Sequence, residues 1–192
     1  MFDLGGVLVE NTGQDGLMAL LPYTLDTTEI WRRWLGSPCV RQFESGRMSA
    51  AQFAAAFIEE WQLALAPSVF IEAFASWPKG FFPGARELLI ELKDRHHLAC
   101  LSNTNLLHWQ RFPEFPALFH TCFASHLMGI VKPDPEAFAH VLETLRVHSG
   151  DVYFFDDLLP NVEAARGAGI NAFHVNGFAQ IEPILRREGL YE

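Results

Sequence analysis

The sequence has few basic residues, few cysteines and no long apolar run. Its 192 residues contain 14 Lys and Arg against 23 Asp and Glu, a formal charge of −9. A nucleic-acid-binding protein needs clustered cations, and no such cluster is present. The same balance argues against an anionic membrane surface, and the apolar stretches fall far short of the ~20 residues of a membrane span. We therefore expect neither nucleic acid nor membrane as a partner.

Cysteine is the second scarce residue, with Cys39, Cys100 and Cys122 in no CxxC or Cys/His metal-ligand spacing. This pattern is typical of reduced thiols in a cytoplasmic protein. The first residues contain neither a basic region nor a signal-like apolar run. Together these absences predict a cytoplasmic location.

Apolar residues are abundant, at 49% of the chain, and include 17 Phe, 5 Trp and 3 Tyr. Such a composition excludes a disordered chain, a collagen and a coiled coil. The length fits one domain, or one domain with a small appendage.

Short apolar runs alternate with amphipathic helical stretches from residue 78 onward. The runs lie at 97–101, 121–125, 152–155 and 171–175, and residues 2–9 indicate a further short strand that leads into a glycine-containing turn. This alternation predicts an α/β fold with a doubly wound parallel sheet. Residues 14–77 have a helical pattern throughout. They lie in the first crossover between strands, where a plain parallel sheet needs only one helix. We therefore expect an α/β core of residues 1–13 and 78–192 and an inserted helical cap of residues 14–77, with Trp31, Trp34 and Trp61 in the interior of the cap.

Polar residues follow the predicted strands at the points where the strands end. Asp3 closes the first run, Ser102 the second, and the pair Asp156 and Asp157 a later one, while Lys132 lies in a loop between them. Ligands of such sheets bind beyond the carboxyl ends of the strands. A carboxylate can attack phosphorus, a hydroxyl and loop amides can hold phosphate oxygens, and a lysine with a hard cation can offset the charge. The pattern indicates phosphoryl transfer.

The segments FDLGGVL, LSNTN, VKPD and FFDD resemble, in this order, the four motifs of the haloacid dehalogenase-like hydrolase superfamily. The resemblance covers nearly the whole chain, and LSNTN and FFDD are similar to those of a bacterial branch of sugar phosphatases that includes α-D-glucose-1-phosphate phosphatase. It implies a Rossmann-like core with a helical cap, and a Mg²⁺-dependent phosphatase acting through an aspartyl-phosphate. The substrate would be a small phosphorylated metabolite, a sugar phosphate, and the protein a monomer or a homodimer.

The resemblance also implies a role for each motif residue. Asp3 would be the nucleophile and a Mg²⁺ ligand, joined by the Gly5 carbonyl and Asp157 as ligands, with Asp156 binding the metal directly or through water. Ser102 and Asn103 would bind phosphate, and Lys132 would hold nucleophile and phosphate together. Asn161 matches a frequent polar position whose role the resemblance leaves open.

Two features depart from the family pattern. Gly5 stands where most phosphatases of the family carry an Asp that acts as general acid and base, and a glycine cannot transfer a proton. Glu44 and His108 are the candidates to supply it. In addition, only Met1 and Phe2 precede the nucleophile, whereas the family's first strand has several apolar residues there. Either the central strand is very short or further residues lie upstream of this chain, and we expect the latter.

The segment from residue 43 to residue 47 resembles the part of the family's cap that faces the active site. It predicts a role in substrate specificity for Phe43, Glu44 and Arg47.

Two alternative functions remain open. A 2-haloacid dehalogenase also lacks the second Asp and needs no metal, but paired carboxylates would repel its carboxylate substrate. A non-catalytic binding protein would explain Gly5, although it would not explain why Asp3, Lys132 and Asp157 occur together.

Overall fold

The computed structural model describes residues 1–192 and contains six short strands and twelve α-helices. The strands are β1 (Val9–Asn11), β2 (Pro78–Phe81), β3 (Ala99–Ser102), β4 (Thr121–Ala124), β5 (Tyr153–Asp156) and β6 (Asn171–His174). The helices of the first half are α1 (Gly13–Leu20), α2 (Thr27–Gly36), α3 (Pro38–Glu44), α4 (Ala50–Trp61) and α5 (Pro67–Ala75). Those of the second half are α6 (Ala85–Lys93), α7 (Leu106–Trp109), α8 (Phe115–Leu118), α9 (Ser125–Met128), α10 (Pro135–Leu145), α11 (Leu159–Gly167) and α12 (Ile181–Arg187).

The central sheet is parallel, and Phe2 lies at its middle. β3 pairs with β4 and β5 with β6, both in parallel register, while Phe2 forms a parallel bridge to each inner strand. Its N–H donates to the Ala99 carbonyl at 3.0 Å, and the Asp3 N–H donates to the Phe155 carbonyl at 2.9 Å. The strand order is therefore β4, β3, residues 1–3, β5, β6, which confirms the predicted doubly wound α/β core.

Both faces of this sheet are covered, as its continuous apolar runs predict. Alternate residues of a strand point to opposite faces, so Phe2 and Phe155 join one cluster of 19 buried residues while Leu101 and Phe154 join another of 12. The helices packed on the two faces supply the rest of each cluster. Burial on both sides fixes the register of the short strands and hence the positions of the polar residues at their ends.

Helices α1–α5 form a third hydrophobic cluster, of 13 buried residues that all lie between Leu17 and Trp77. Stacked aromatic rings fill it, such as Phe43 on Phe53 with centroids 4.3 Å apart. Ser49 begins α4 with a full capping box, as its position before the apolar repeat indicates. Because helices α1–α5 have a hydrophobic core of their own, they support the proposed division of the chain into a helical cap and an α/β core.

An antiparallel ribbon joins these two parts, and the sequence pattern did not predict it. Val9 pairs with Phe81 and Asn11 with Pro78, so the chain crosses to the helical cluster and back through β1 and β2. Proline is accepted at the start of an edge strand. The segment that begins at Pro78 can therefore form a strand, although its proline and glycine suggest a turn. The predicted run at 2–9 is likewise divided, because Phe2 alone pairs in the main sheet and a turn separates it from Val9.

A second contact between the two parts involves Asp134. The sequence predicts Asp134 as the N-cap of α10, but its side chain makes no capping bond. Its carboxylate instead forms an ion pair with Arg41 of α3. Pro135 at the first helical position needs no N–H partner, so α10 begins without a side-chain cap. None of the helices has both the length and the apolar character needed to cross a membrane.

Candidate active site

The polar residues singled out in the sequence converge at the carboxyl edge of the central sheet. Asp3, Ser102, Lys132 and Asp157 line one cavity of about 570 Å³ between the sheet and helices α1–α5, and Gly5 lies in the same wall. Parallel strands bring their carboxyl ends to one edge, so side chains up to 154 residues apart in sequence share one cavity.

Lys132 is the buried cation of this site. Its Nζ lies 2.8 Å from the Asp3 carboxylate and 2.6 Å from that of Asp156, and its side chain is 1% exposed. Burial alone would lower the pKa of Lys132, but the carboxylates of Asp156 and Asp3 together raise it above its usual value. Lys132 is therefore charged at neutral pH and fixes the orientation of the Asp3 carboxylate.

Asn103 positions this lysine. Its Oδ1 accepts a hydrogen bond from the Lys132 N–H and its Nδ2 donates to the Lys132 carbonyl, both at 2.8 Å. One of the two Nδ2 hydrogens is used in this way, so the second one and the main-chain N–H of Asn103 are left for the predicted contact with phosphate. Ser102, in contrast, is buried at the cavity wall, and its hydroxyl makes no hydrogen bond within the protein.

Asp156 is fully buried and does not line the cavity. Its carboxylate accepts hydrogen bonds from the Leu158 N–H at 2.8 Å and from the Asn161 side chain at 3.0 Å, besides its contact with Lys132. This placement favours a role for Asp156 in holding Lys132, and metal binding by Asp156, directly or through water, stays a prediction. It also gives Asn161, whose role the resemblance leaves open, the task of holding Asp156.

Asp157 is half-buried, and it contacts the His174 Nε2 through its main-chain carbonyl at 2.9 Å and not through its carboxylate. It lies against Gly6, where an added Cβ would stand 2.3 Å from the Asp157 Oδ2. Gly6 also has a φ of +74°, a conformation that favours glycine. Burial first, and then the charges of Asp3 and Asp156, raise the pKa of Asp157 to about 8.

The charges at this site are unbalanced in a way that fits a divalent cation. Three carboxylates face one ammonium, and burial raises the pKa of Asp3 to about 6 even with Lys132 in contact. The free oxygens belong to Asp3, Asp157 and the Gly5 main chain, all of them hard donors of the kind Mg²⁺ prefers. No group of three or more His, Cys, Asp or Glu side chains is arranged around a metal position, since Asp156 is turned away. A metal here would have two carboxylate ligands, a carbonyl and waters, and Mg²⁺ commonly retains several waters.

Glu44, at the end of α3, is the carboxyl group that the helical part contributes to the cavity. Burial raises the pKa of Glu44 to about 7, although the Trp34 indole and the Lys132 ammonium favour its charged form. The Ser125 hydroxyl donates to the Glu44 carbonyl at 2.6 Å and thereby ties this turn to the α/β core. A carboxyl with such a pKa can hold a proton near neutral pH.

Phe43 and Arg47, predicted beside Glu44 as specificity residues, do not line the cavity. Phe43 packs inside the helical cluster, and Arg47 is exposed and donates to the Gly129 carbonyl at 3.1 Å. Consecutive residues at the end of a helix point in different directions, so this segment directs one side chain of the three into the cavity. We leave Phe43 and Arg47 out of the proposed site.

His108, the other candidate proton source, is engaged at both ring nitrogens. Its Nε2 lies 2.8 Å from the Phe74 carbonyl and its Nδ1 3.2 Å from the Asn105 Nδ2. Burial lowers the pKa of His108 to about 4, so the ring is neutral, with Nε2–H donating to Phe74 and Nδ1 accepting from Asn105. His108 connects the core to α5 and has no free proton to transfer.

The tryptophan prediction is partly wrong. Trp61 is fully buried in the helical cluster, and Trp34 packs against that cluster while also lining the cavity. Trp31 packs against no cluster and lines the cavity together with Leu35. Their spacing of i, i+3 and i+4 on α2 is the signal that places them on one face. That spacing does not reveal whether the face meets protein or a cavity.

Comparisons with known proteins agree with this architecture. The family profile of the haloacid dehalogenase-like hydrolases matches residues 1–169. A phosphatase of Mycobacterium tuberculosis is 35% identical over 104 residues, which are 52% of this chain and 48% of that protein, so the chain spans about half the length of this relative. The sesquiterpene phosphatase AstK of Aspergillus oryzae is 31% identical over 184 residues, 91% of this chain and 88% of that protein.

Solved structures show the same fold. A HAD-like family hydrolase of Porphyromonas gingivalis has a TM-score of 0.77 with 24% identity and covers 97% of this chain and 95% of its own. A magnesium complex of a HAD family enzyme from Bacteroides thetaiotaomicron has a TM-score of 0.76 with 22% identity and covers 96% of each chain. The family profile, the relatives and the fold lead to one conclusion: the chain belongs to the haloacid dehalogenase-like hydrolases.

Proposed function

We propose that this protein is a Mg²⁺-dependent phosphatase that hydrolyses a small phosphorylated metabolite through an aspartyl-phosphate on Asp3. The observation that carries the proposal is the Asp3 carboxylate, held at 2.8 Å by Lys132 in a cavity that also presents the free Ser102 hydroxyl and the unpaired Asp157 carboxylate. A carboxylate fixed in this way can attack phosphorus.

The proposed reaction has two steps. An Asp3 oxygen bonds to phosphorus while the ester P–O bond breaks, and the departing alcohol takes a proton from Glu44. Water then attacks the acyl phosphate and gives its proton back to Glu44, which releases inorganic phosphate and restores the Asp3 carboxylate. When bound, Mg²⁺ would offset negative charge on the phosphoryl oxygens. Asp3, Asp157 and the Gly5 carbonyl would hold it.

Three further observations support this proposal. Both relatives are named phosphatases, and a structural neighbour is described as a magnesium complex. The net negative charge around Asp3 and Asp157 also disfavours a free carboxylate substrate without a cation, and therefore disfavours the dehalogenase alternative. The assignment to a sugar phosphate, the cytoplasmic location and the monomeric or homodimeric state stay predictions.

The test is hydrolysis of p-nitrophenyl phosphate with and without Mg²⁺ by the wild type and by Asp3→Asn. We expect hydrolysis that requires Mg²⁺ and is abolished by the substitution, since an amide of nearly the same shape is a poor nucleophile. Dehalogenation of a 2-haloacid without metal would favour the alternative. No reaction of either kind in a folded wild-type protein would favour a non-catalytic role.

A further inference from the structure

The wall of the cavity opposite Asp3 comes from the helical part of the chain and is mainly apolar. Seven of the ten residues that 14–77 contributes to the cavity are apolar. Trp31, Trp34 and Leu35 form one face of α2 in this wall, and all three are half-buried. Trp31 and Leu35 pack against none of the three hydrophobic clusters. Large apolar side chains at a cavity wall without protein packing are suited to contact a ligand.

The helical part presents three polar side chains to the cavity, whereas the other polar lining residues, such as Asn11 and Asn176, come from outside it. The Gln14 amide donates to the Thr27 hydroxyl at 2.9 Å, so these two side chains already partner one another. Glu44 is the remaining polar side chain of the helical part in the wall, and it lies towards Asp3 and Lys132. Each sugar hydroxyl that loses water here without a partner would weaken binding by roughly tenfold.

Cations are equally scarce in the cavity. Lys132 is the one Lys or Arg among the lining residues, and Asp3 and Asp156 already hold its ammonium. A second phosphate or a carboxylate on the substrate would therefore have no positive side chain to meet. This favours a substrate with one anionic group.

From these observations we propose that the substrate is a phosphate monoester of a hydrocarbon alcohol, with the phosphate at Asp3 and Ser102 and the hydrocarbon against Trp31, Trp34 and Leu35. The proposal rests on the proposed phosphatase function and specifies its substrate class. Apolar surface transferred from water to this wall supplies the binding free energy, and the cavity of about 570 Å³ is continuous from the α2 face to the nucleophile.

The test compares kcat/KM for geranyl phosphate and glucose 6-phosphate, which both release a primary alcohol and so differ mainly in the body of the substrate. Acetyl phosphate, whose leaving group is acetate and has no hydrocarbon body, reports the phosphatase chemistry. We expect geranyl phosphate to be preferred at least about tenfold. Trp31→Ala should lower kcat/KM for geranyl phosphate by a factor at least about ten times larger than the factor for acetyl phosphate. Met18→Ala, an exposed apolar residue of α1 outside the cavity, should alter neither rate.

The outcomes separate the two proposals. Hydrolysis of acetyl phosphate that depends on Mg²⁺ and Asp3, together with a preference for glucose 6-phosphate or α-glucose 1-phosphate, would overturn the substrate class and leave the phosphatase proposal standing. An equal effect of Trp31→Ala on geranyl and acetyl phosphates, in a variant that melts like the wild type, would also overturn the substrate class. Absence of hydrolysis of all four phosphorylated compounds would overturn the phosphatase proposal itself.

Discussion

Replacing Gly6 by alanine tests the metal site without changing any charged group. Two costs follow from the structure. A residue with a side chain at a φ of +74° is strained by about 1–2 kcal/mol. For a chain of 192 residues this lowers Tm by about 2–8 °C. The second cost is local, because the new Cβ would stand 2.3 Å from the Asp157 Oδ2 and 2.9 Å from its Cγ.

Ordinary van der Waals contact begins near 3.4 Å, so the Asp157 carboxylate must retreat by roughly 1 Å. A displacement of that size at a reacting group can reduce the rate about a hundredfold. We therefore expect Gly6→Ala to lower kcat/KM for p-nitrophenyl phosphate about a hundredfold at saturating Mg²⁺. We also expect it to weaken the increase in Tm that Mg²⁺ produces in the wild type, since a ligand of the native state stabilises it.

Gly129→Ala is the matched control. Gly129 has nearly the same φ, +75°, but no atom lies within 4 Å of its added Cβ, and it is outside the cavity. It should lose similar stability and keep wild-type kcat/KM and the Mg²⁺-dependent increase in Tm. Wild-type activity and Mg²⁺ response in Gly6→Ala, or an equal loss in both variants, would refute the assignment of Asp157 to the metal site.

Three other predictions concern single side chains. Lys132→Met leaves the buried carboxylates of Asp3 and Asp156 without a cation, so the free energy of unfolding in urea should fall by about 3–5 kcal/mol; a fall below about 1 kcal/mol would contradict the ion pairing. Glu44→Gln should slow the single-turnover hydrolysis of alkyl phosphates by ~10²–10⁴-fold and largely spare p-nitrophenyl phosphate, whose leaving group needs no proton; equal effects on both substrates would exclude Glu44 as the acid. Burial lowers the pKa of His108 from 6.5 to about 4, so the unfolded chain binds the extra proton and stability falls as pH decreases from about 6.5 to about 4. His108→Gln should reduce this fall in urea unfolding measured across that range, and an unchanged pH dependence would show that the ring is not held neutral.

The positions of the polar side chains in the candidate site could be predicted from the sequence because they follow from two local rules. Continuous apolar runs identify buried parallel strands, and the residues after them lie at one edge of the sheet. This is sufficient to bring Asp3, Ser102 and Asp157 together. Their chemical roles, in contrast, depend on which hydrogen bonds are already made. That Asn103 holds the main chain of Lys132 is a property of two loops 29 residues apart, and no spacing encodes it.

The surroundings of helices α1–α5 were less predictable for a related reason. Helix α2 meets the helical cluster on one side and the cavity on the other, and both surroundings favour apolar residues. The spacing of Trp31 and Trp34 therefore shows that they share a face but not which side that face meets. The pairing of β1 with β2 was missed because its residues, Pro78 and Gly80 among them, indicate a turn when considered alone.

The most direct test of the account is to stop the reaction with p-nitrophenyl phosphate in acid within a single turnover and to examine the peptide that contains Asp3 by mass spectrometry. The account predicts a phosphoryl-sized mass increase on Asp3 that requires Mg²⁺, decays at the rate of phosphate release and is absent from Asp3→Asn. Phosphate release by the wild type with no such adduct at any time, together with undiminished turnover by Asp3→Asn, would contradict it.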